Sequence, residues 1–361
     1  MEKPTPFKPG CLPALIGSLP VKDHEEAVDL VAGHTPDVPI WIQLPMYRQE
    51  GMLNQFVSGV PGLVDTGDKV YVDTSSQEFE EGLMAFYEEY LAVTEAGQPL
   101  EESRFAMKPE HAPGFFALKN RLETAWPQEF SAIKGQVTGP FTLATTLMDQ
   151  DGRAALYDDR LRDVVVKILA LKARWQAKVL GAFGKQVLIF LDEPALAGFG
   201  SSAFLSVTKE DIAALFEEIM EAIHQEGALV GVHICANSDW SLVLDSPADI
   251  VSFDQYEVFE QFVMYKKDLK AFFDAGKIVA WGIVPTIDKE LVMGEFAESL
   301  EARWQTDMKQ VEALGIDRAT LLSQSLITPS CGTGSLDLEA SLRVLELTQE
   351  VSNMIRYKEQ L

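Results

Sequence analysis

Cysteine is scarce in this chain of 361 residues: only Cys11, Cys235 and Cys331 occur, an odd number too small for a disulfide framework. The expectation is a reducing, cytoplasmic compartment in which thiols serve metal binding or catalysis. Positive charge is also short, with 30 Lys and Arg against 55 Asp and Glu and a formal net charge of -25. Such a surface repels a phosphate backbone, which excludes nucleic acid as an expected partner. No apolar run approaches the roughly 20 residues that a membrane span needs. The opening stretch MEKPTPFKPGCLPALIG has no apolar core behind basic residues, so no targeting leader is expected either. Internal repeats, low-complexity tracts and Gly/Ser linkers are absent.

What is there reads as globular: 47% hydrophobic and 24% charged residues supply enough apolar material for a large core. Length alone leaves one α/β barrel with insertions and two smaller domains both open. The pattern then favours the barrel, because short apolar runs alternate with helical stretches, as in parallel strands joined by crossover helices. The candidate strands are 14–17, 39–43, 69–72, 132–137, 186–191, 229–234, 250–253, 278–283 and 321–327. Runs such as VLIFL and LVGVHI are continuously apolar, as strands buried on both faces should be. Between them, residues 153–183 show helical spacing. Thr208 and Asp211 make a capping-box-like start to a helix that runs to about Gln225 and stops before Gly227. These observations predict an α/β (β/α)8 TIM barrel filling residues 1–361 as a single domain. An irregular insertion at about 45–130, in the N-terminal third, is the expected lid or partner-facing segment.

The sharpest chemical signal is Val232-His233-Ile234-Cys235. Residues two apart on a strand point to the same face and so can grip one ion, which they could not do on a helix. The pair falls where its strand ends, at the side of a barrel where active sites are built. By itself His-x-Cys is as readily a core histidine beside a small buried hydrophobe. Cys331 shifts the balance, since it follows another strand in the turn Pro329-Ser330-Cys331-Gly332 and two strand ends meet over a barrel axis. One imidazole and two thiolates suit zinc, with a fourth position free for another ligand or a substrate. Cys11 has no such setting and reads as structural.

Taken in order, Ile16-Gly17-Ser18, Thr138-Gly139-Pro140-Phe141-Thr142, Leu191-Asp192-Glu193-Pro194-Ala195-Leu196, His233-x-Cys235 and Pro329-Ser330-Cys331-Gly332 resemble the catalytic domain of cobalamin-independent methionine synthase. The resemblance implies a (β/α)8 barrel that transfers a methyl group to the thiol of homocysteine held on zinc. It implies that His233, Cys235 and Cys331 are zinc ligands, with the acidic fourth ligand at Asp254 or, failing that, Glu257. It also implies that Asp192 takes the substrate ammonium and that Gly17 and Ser18 take its carboxylate, so Asp192 and His233 carry the catalytic roles. Outside that resemblance, Asp-Glu-Pro is an ordinary loop start, Gly-Ser a plain turn and Asp254 a helix cap.

Departures from the family narrow the donor. The resemblance covers only the catalytic half of the folate-dependent enzyme. No tryptophan follows the Gly-Pro-x-Thr segment, where Leu143-Ala144-Thr145-Thr146 offers no face for a pterin. The stretch Pro39-Ile40-Trp41-Ile42-Gln43-Leu44-Pro45-Met46 stands where the family has His-Gly-Glu. A methylcorrinoid, carried by a corrinoid protein, is therefore the expected donor rather than methyltetrahydrofolate. Three alternatives stay open: a corrinoid-to-coenzyme M methyltransferase of the related uroporphyrinogen decarboxylase superfamily, a metal-free decarboxylase of that superfamily, and a non-catalytic binder of thiols or corrinoid proteins. A chain this acidic with no arginine cluster argues against the decarboxylase.

Overall fold

Runs of Val, Ile and Leu flanked by Gly, Pro and Asp form the central layer. The computed structural model describes residues 7–361; residues 1–6, the start of the stretch read above for a leader, lie outside the described residues. The strands are β1 (Leu12–Pro13), β2 (Leu63–Asp65), β3 (Val70–Val72), β4 (Ala132–Thr138), β5 (Gln186–Asp192), β6 (Leu229–Ile234), β7 (Ile250–Phe253), β8 (Ile278–Val284) and β9 (Ser325–Pro329). Seven of them make one curled sheet in the order β1-β9-β8-β7-β6-β5-β4, and every pairing within it is parallel. Helices connect most of these strands, as parallel crossovers require.

Four expectations shift. The expected strand at 39–43 is not a ladder strand. It makes single parallel bridges, Ser18 to Gln43 on one side and Ile40 to Lys134 on the other, so it lies between the two edges of the sheet. Pro39 and Pro45 flank it, and a proline has no N–H to extend a ladder. Residues 69–72 do not join the main sheet: β3 pairs antiparallel with β2 in a separate hairpin. The stretch 321–327 divides, since Asp317 caps the helix Arg318–Ser323 through the Thr320 amide at 2.9 Å and the strand starts only at Ser325. The first strand begins earlier than expected, with Leu12 and Pro13 paired to Leu326 and Ile327.

The stretch 45–130, expected to be irregular, is more ordered than its composition implied. It holds the helix Gln77–Thr94, whose Tyr87 and Tyr90 hydroxyls donate to Asp163 (2.5 Å) and Glu218 (2.7 Å) on two outer helices. Those two are Asp159–Gly181 and Lys209–His224, and Thr208 and Asp211 form the expected capping box on the second. Among the described residues, no helix is long and apolar enough to cross a membrane.

Residues in parallel register share a face. One face carries Ile133, Ile189, Val232, Val251 and Trp281, packed in the large cluster that includes the outer helices. The other carries Ala132, Leu188, Phe190, Ile250, Ala280 and Leu326, which form a separate inner cluster. Toward the C-terminal ends this inner face turns polar through Thr138, Asp192, His233 and Ser252, one register line across β4, β5, β6 and β7.

Buried titratable groups also lie outside this line, Lys172 among them. Lys172, on the helix Asp159–Gly181, is 2% exposed. Burial, with a smaller contribution from the charge of Lys108, pushes its ammonium down from 10.5 to about 8. Between those values the unfolded chain binds the extra proton, so the penalty is complete below pH 8 and is relieved as pH rises towards 10.5. A displacement of that size corresponds to roughly 3 kcal/mol. K172M should therefore raise the urea midpoint at pH 7, and the gain should shrink when the titration is repeated near pH 10.

Candidate metal and substrate site

His233 sits next to last on β6 and points inward. Cys235 follows one pleat later, just past the end of the strand, and Cys331 enters from the loop after β9. The ligand atoms of His233, Cys235 and Cys331 all lie within 4.8 Å of one another. The imidazole is buried at 3% exposure, and its Nδ1 lies 3.0 Å from the hydroxyl of Ser252, its register partner on β7. With Nδ1–H donating to Ser252 Oγ, the lone pair of Nε2 is left buried with no hydrogen-bond partner. An orphaned buried acceptor costs about 1–3 kcal/mol, so this ring is oriented for something other than a protein donor. One imidazole nitrogen facing two sulfurs is a donor set that fits zinc.

The two thiols are not equivalent. The neighbouring Cys331 S–H, then His233, draws Cys235 well below the usual thiol range. The same hydrogen bond, then burial, pushes Cys331 far above it. Without a cation the pair therefore gives up one proton readily and resists losing the second.

Gly17, Ser18, Asp192, His233, Cys235 and Cys331, all singled out in the sequence, line one cavity of about 340 Å3. The backbone at Gly17 has φ of +126°, which a side chain would resist, and its carbonyl accepts from the Gln43 amide at 2.7 Å. Ser18 is tied to the Cys331 loop, because its carbonyl accepts from Thr333 N at 2.9 Å and its hydroxyl from Gly334 N at 3.3 Å. Asp192 closes β5 with Oδ1 buried and unpartnered. Burial raises its carboxyl, and the charge of Lys134 opposes that rise.

Asp254 and Glu257, the two acidic candidates for a fourth ligand, lie outside the cluster of ligand atoms within 4.8 Å of one another. Among the described residues the candidate metal-binding group is His233, Cys235 and Cys331 alone. Asp254 turns one oxygen to the Glu257 amide at 3.0 Å and caps the helix Gln255–Phe262, while Glu257 is exposed in its first turn. Burial, ahead of other influences, pushes Asp254 up to about 6.

Sequence reasoning passed over Gln43, Glu50, Met52 and Ser252. Glu50 lies in the polar run Tyr47-Arg48-Gln49-Glu50-Gly51, which reads as solvated. Its side chain is instead fully buried, accepting from Leu44 N at 2.9 Å and lying 3.0 Å from His24 Nε2. Nothing local marked it. Ser252 left a weak mark, a lone hydroxyl within Ile-Val-Ser-Phe. Glu193 clarifies two of the motifs. Its buried carboxylate accepts from Phe141 N (2.9 Å), Thr142 N (2.8 Å) and Thr142 Oγ1 (2.6 Å), which binds the segment after β4 to the end of β5. Burial raises it to about 7 against the pull of these donors.

The fold and site together define a parallel α/β protein with a His/Cys/Cys cluster at the C-terminal ends of its strands. Two solved structures share this fold along nearly the whole chain. A B12-independent methionine synthase from Shewanella sp. W3-18-1, in complex with selenomethionine, is 17% identical, covering 97% of this chain and 99% of that one with a TM-score of 0.52. A proposed vitamin-B12 independent methionine synthase from Listeria monocytogenes is 13% identical with the same coverages and a TM-score of 0.55. No family model and no curated protein matches the chain.

The Glu193 clamp makes its own prediction. A Cβ at Gly139 would lie 2.2 Å from the Glu193 carboxyl carbon, too close for any rotamer adjustment of a side chain held by three donors. G139A should cost roughly 2–3 kcal/mol in urea unfolding, and G139A/E193A should recover part of the loss.

Proposed function

We propose that this protein is a zinc-dependent methyltransferase that methylates a small aminothiol, homocysteine being the simplest substrate of that description. The supporting observation is that the His233, Cys235 and Cys331 cluster shares one cavity with Ser18 and Asp192. Zinc, when bound, would acidify a thiol so that a thiolate nucleophile exists near neutral pH. His233, Cys235 and Cys331 would hold it, with Ser252 fixing the imidazole. Asp192 would accept the substrate ammonium, and the Ser18 hydroxyl with the amides around Gly17 would donate to its carboxylate. The extended segment 39–43, bridged on both sides, is on this reading the reduced eighth stave that closes a (β/α)8 barrel around the site.

The cavity lining discriminates among the alternatives. Asp192 lines it, as does Glu50 with its carboxylate turned to His24 and Leu44 N, and neither lysine nor arginine does. A sulfonated thiol such as coenzyme M, or a polycarboxylate porphyrinogen, would meet repulsion and no cationic partner. An ammonium-bearing thiol meets complementary charge. No Trp, Tyr or Phe lines the cavity, so a pterin finds no stacking platform, which favours a methylcorrinoid donor presented by a corrinoid protein. A non-catalytic thiol binder would share this lining but transfer nothing.

Protein purified without added metal should contain about one zinc per chain by elemental analysis. It should form the thioether from homocysteine and methylcobalamin, but not from methyltetrahydrofolate and not with coenzyme M as acceptor. Protein that neither holds zinc nor forms any thioether would overturn the reading. S252A, which removes the Nδ1 partner, should weaken zinc binding 10- to 100-fold in competition with a chromophoric chelator while the chain stays folded.

A further inference from the structure

Lys134 is the buried charge that the proposed chemistry leaves without a task. It is 1% exposed on β4, and its Nζ has no hydrogen-bond partner. A bare ammonium inside a sheet is costly and wants acceptors. The register shows where they are. Thr138 pairs with Asp192, Gln136 with Phe190 and Lys134 with Leu188, so all six share the inner face. Lys134 Nζ stands 4.2 Å from the centroid of the Phe190 ring, and Phe190 is one inner position below Asp192. The lysine stem thus carries its charge upward, to within one side-chain layer of the cavity floor.

Two acceptors on that face are equally unpartnered: Gln136 Oε1 and Asp192 Oδ1. Gln136 is fixed from its other end, donating through Nε2 to the Trp41 carbonyl at 2.9 Å. A three-proton donor and two stranded acceptors on adjacent strands form one complementary buried set. Asp192, meanwhile, also lines the cavity. We propose that Lys134 is a positioning residue: its ammonium, one layer below Asp192 and not in direct hydrogen-bond contact with it, attracts the buried oxygen of that carboxylate through its charge, so that the other oxygen is presented to the ammonium of the substrate. The inference rests on the aminothiol reading given above. Lys134 touches no substrate and acts only through Asp192.

The test is a ratio of affinities on zinc-loaded protein, measured by titration calorimetry with homocysteine and with 4-mercaptobutyrate, which lacks the amino group. Wild type should prefer homocysteine. K134M, and K134Q should the first variant fold poorly, should lower that preference roughly tenfold, the size of coupling found within one hydrogen-bonded network. Zinc content and 4-mercaptobutyrate affinity should not change. D192N should lower the preference as well, and K134M added to D192N should lower it no further. An unchanged preference in K134M and K134Q, beside a lost one in D192N, would overturn the role of Lys134 and leave the aminothiol reading standing. If D192N keeps the preference, the aminothiol reading fails and the role of Lys134 falls with it. Equal loss for both thiols in the Lys134 variants would mean a structural role and would also overturn the inference.

Discussion

The site depends on one contact, the Ser252 hydroxyl against Nδ1 of His233, 3.0 Å apart and buried. It decides which imidazole nitrogen faces the sulfurs, and so decides whether three side chains are a ligand set or merely neighbours. The contact exists because β6 and β7 run parallel with His233 and Ser252 in register. Slipping either strand by one residue would turn its own side chain to the helix-covered face and part the pair. Sheet geometry and site chemistry are therefore one constraint.

A second consequence of the parallel sheet is that polar groups collect at one end of an otherwise apolar interior. Ala132, Leu188, Ile250 and Leu326 fill the inner face lower down, while Thr138, Asp192, His233 and Ser252 form its upper row. Two of these polar atoms, Asp192 Oδ1 and His233 Nε2, lack protein partners. Unsatisfied groups in a core destabilise it, and their concentration beneath one cavity fits a surface prepared for ligands rather than for packing. Glu193 is the exception that keeps the edge rigid: three donors use both its oxygens, and it ties two strand ends together.

Charge within the cavity carries the choice of substrate. Asp192 and Glu50 line it without a lysine or arginine, the Glu50 carboxylate being turned to His24 and Leu44 N, and the inner face holds Lys134 two positions below Asp192. Placing the cation below the floor rather than in the wall lets it act on a carboxylate without offering an anionic ligand a direct partner. The acidity of the whole chain, read from its composition, says only what the surface repels; the sign of the cavity is set separately by which few side chains point inward.

Much of this was legible in the residues. Spacing of two on a strand put His233 and Cys235 on one face, and apolar runs bounded by Gly, Pro and Asp marked most of the sheet, because pleat and burial act locally. Gly17, Ser18, Asp192 and Cys331 were each singled out by motif, and they line one cavity. What the chain could not disclose were facts of pairing between distant segments. The stretch 39–43 has a strand's composition but meets its neighbours only in single bridges, and 69–72 pairs with its own hairpin instead. Asp254 also caps the helix that follows it, and Glu50, which nothing in the sequence marked, is folded inward against His24. Patterns along the chain report which face a residue takes. Which partner it meets there is decided only when strands far apart in sequence come into register.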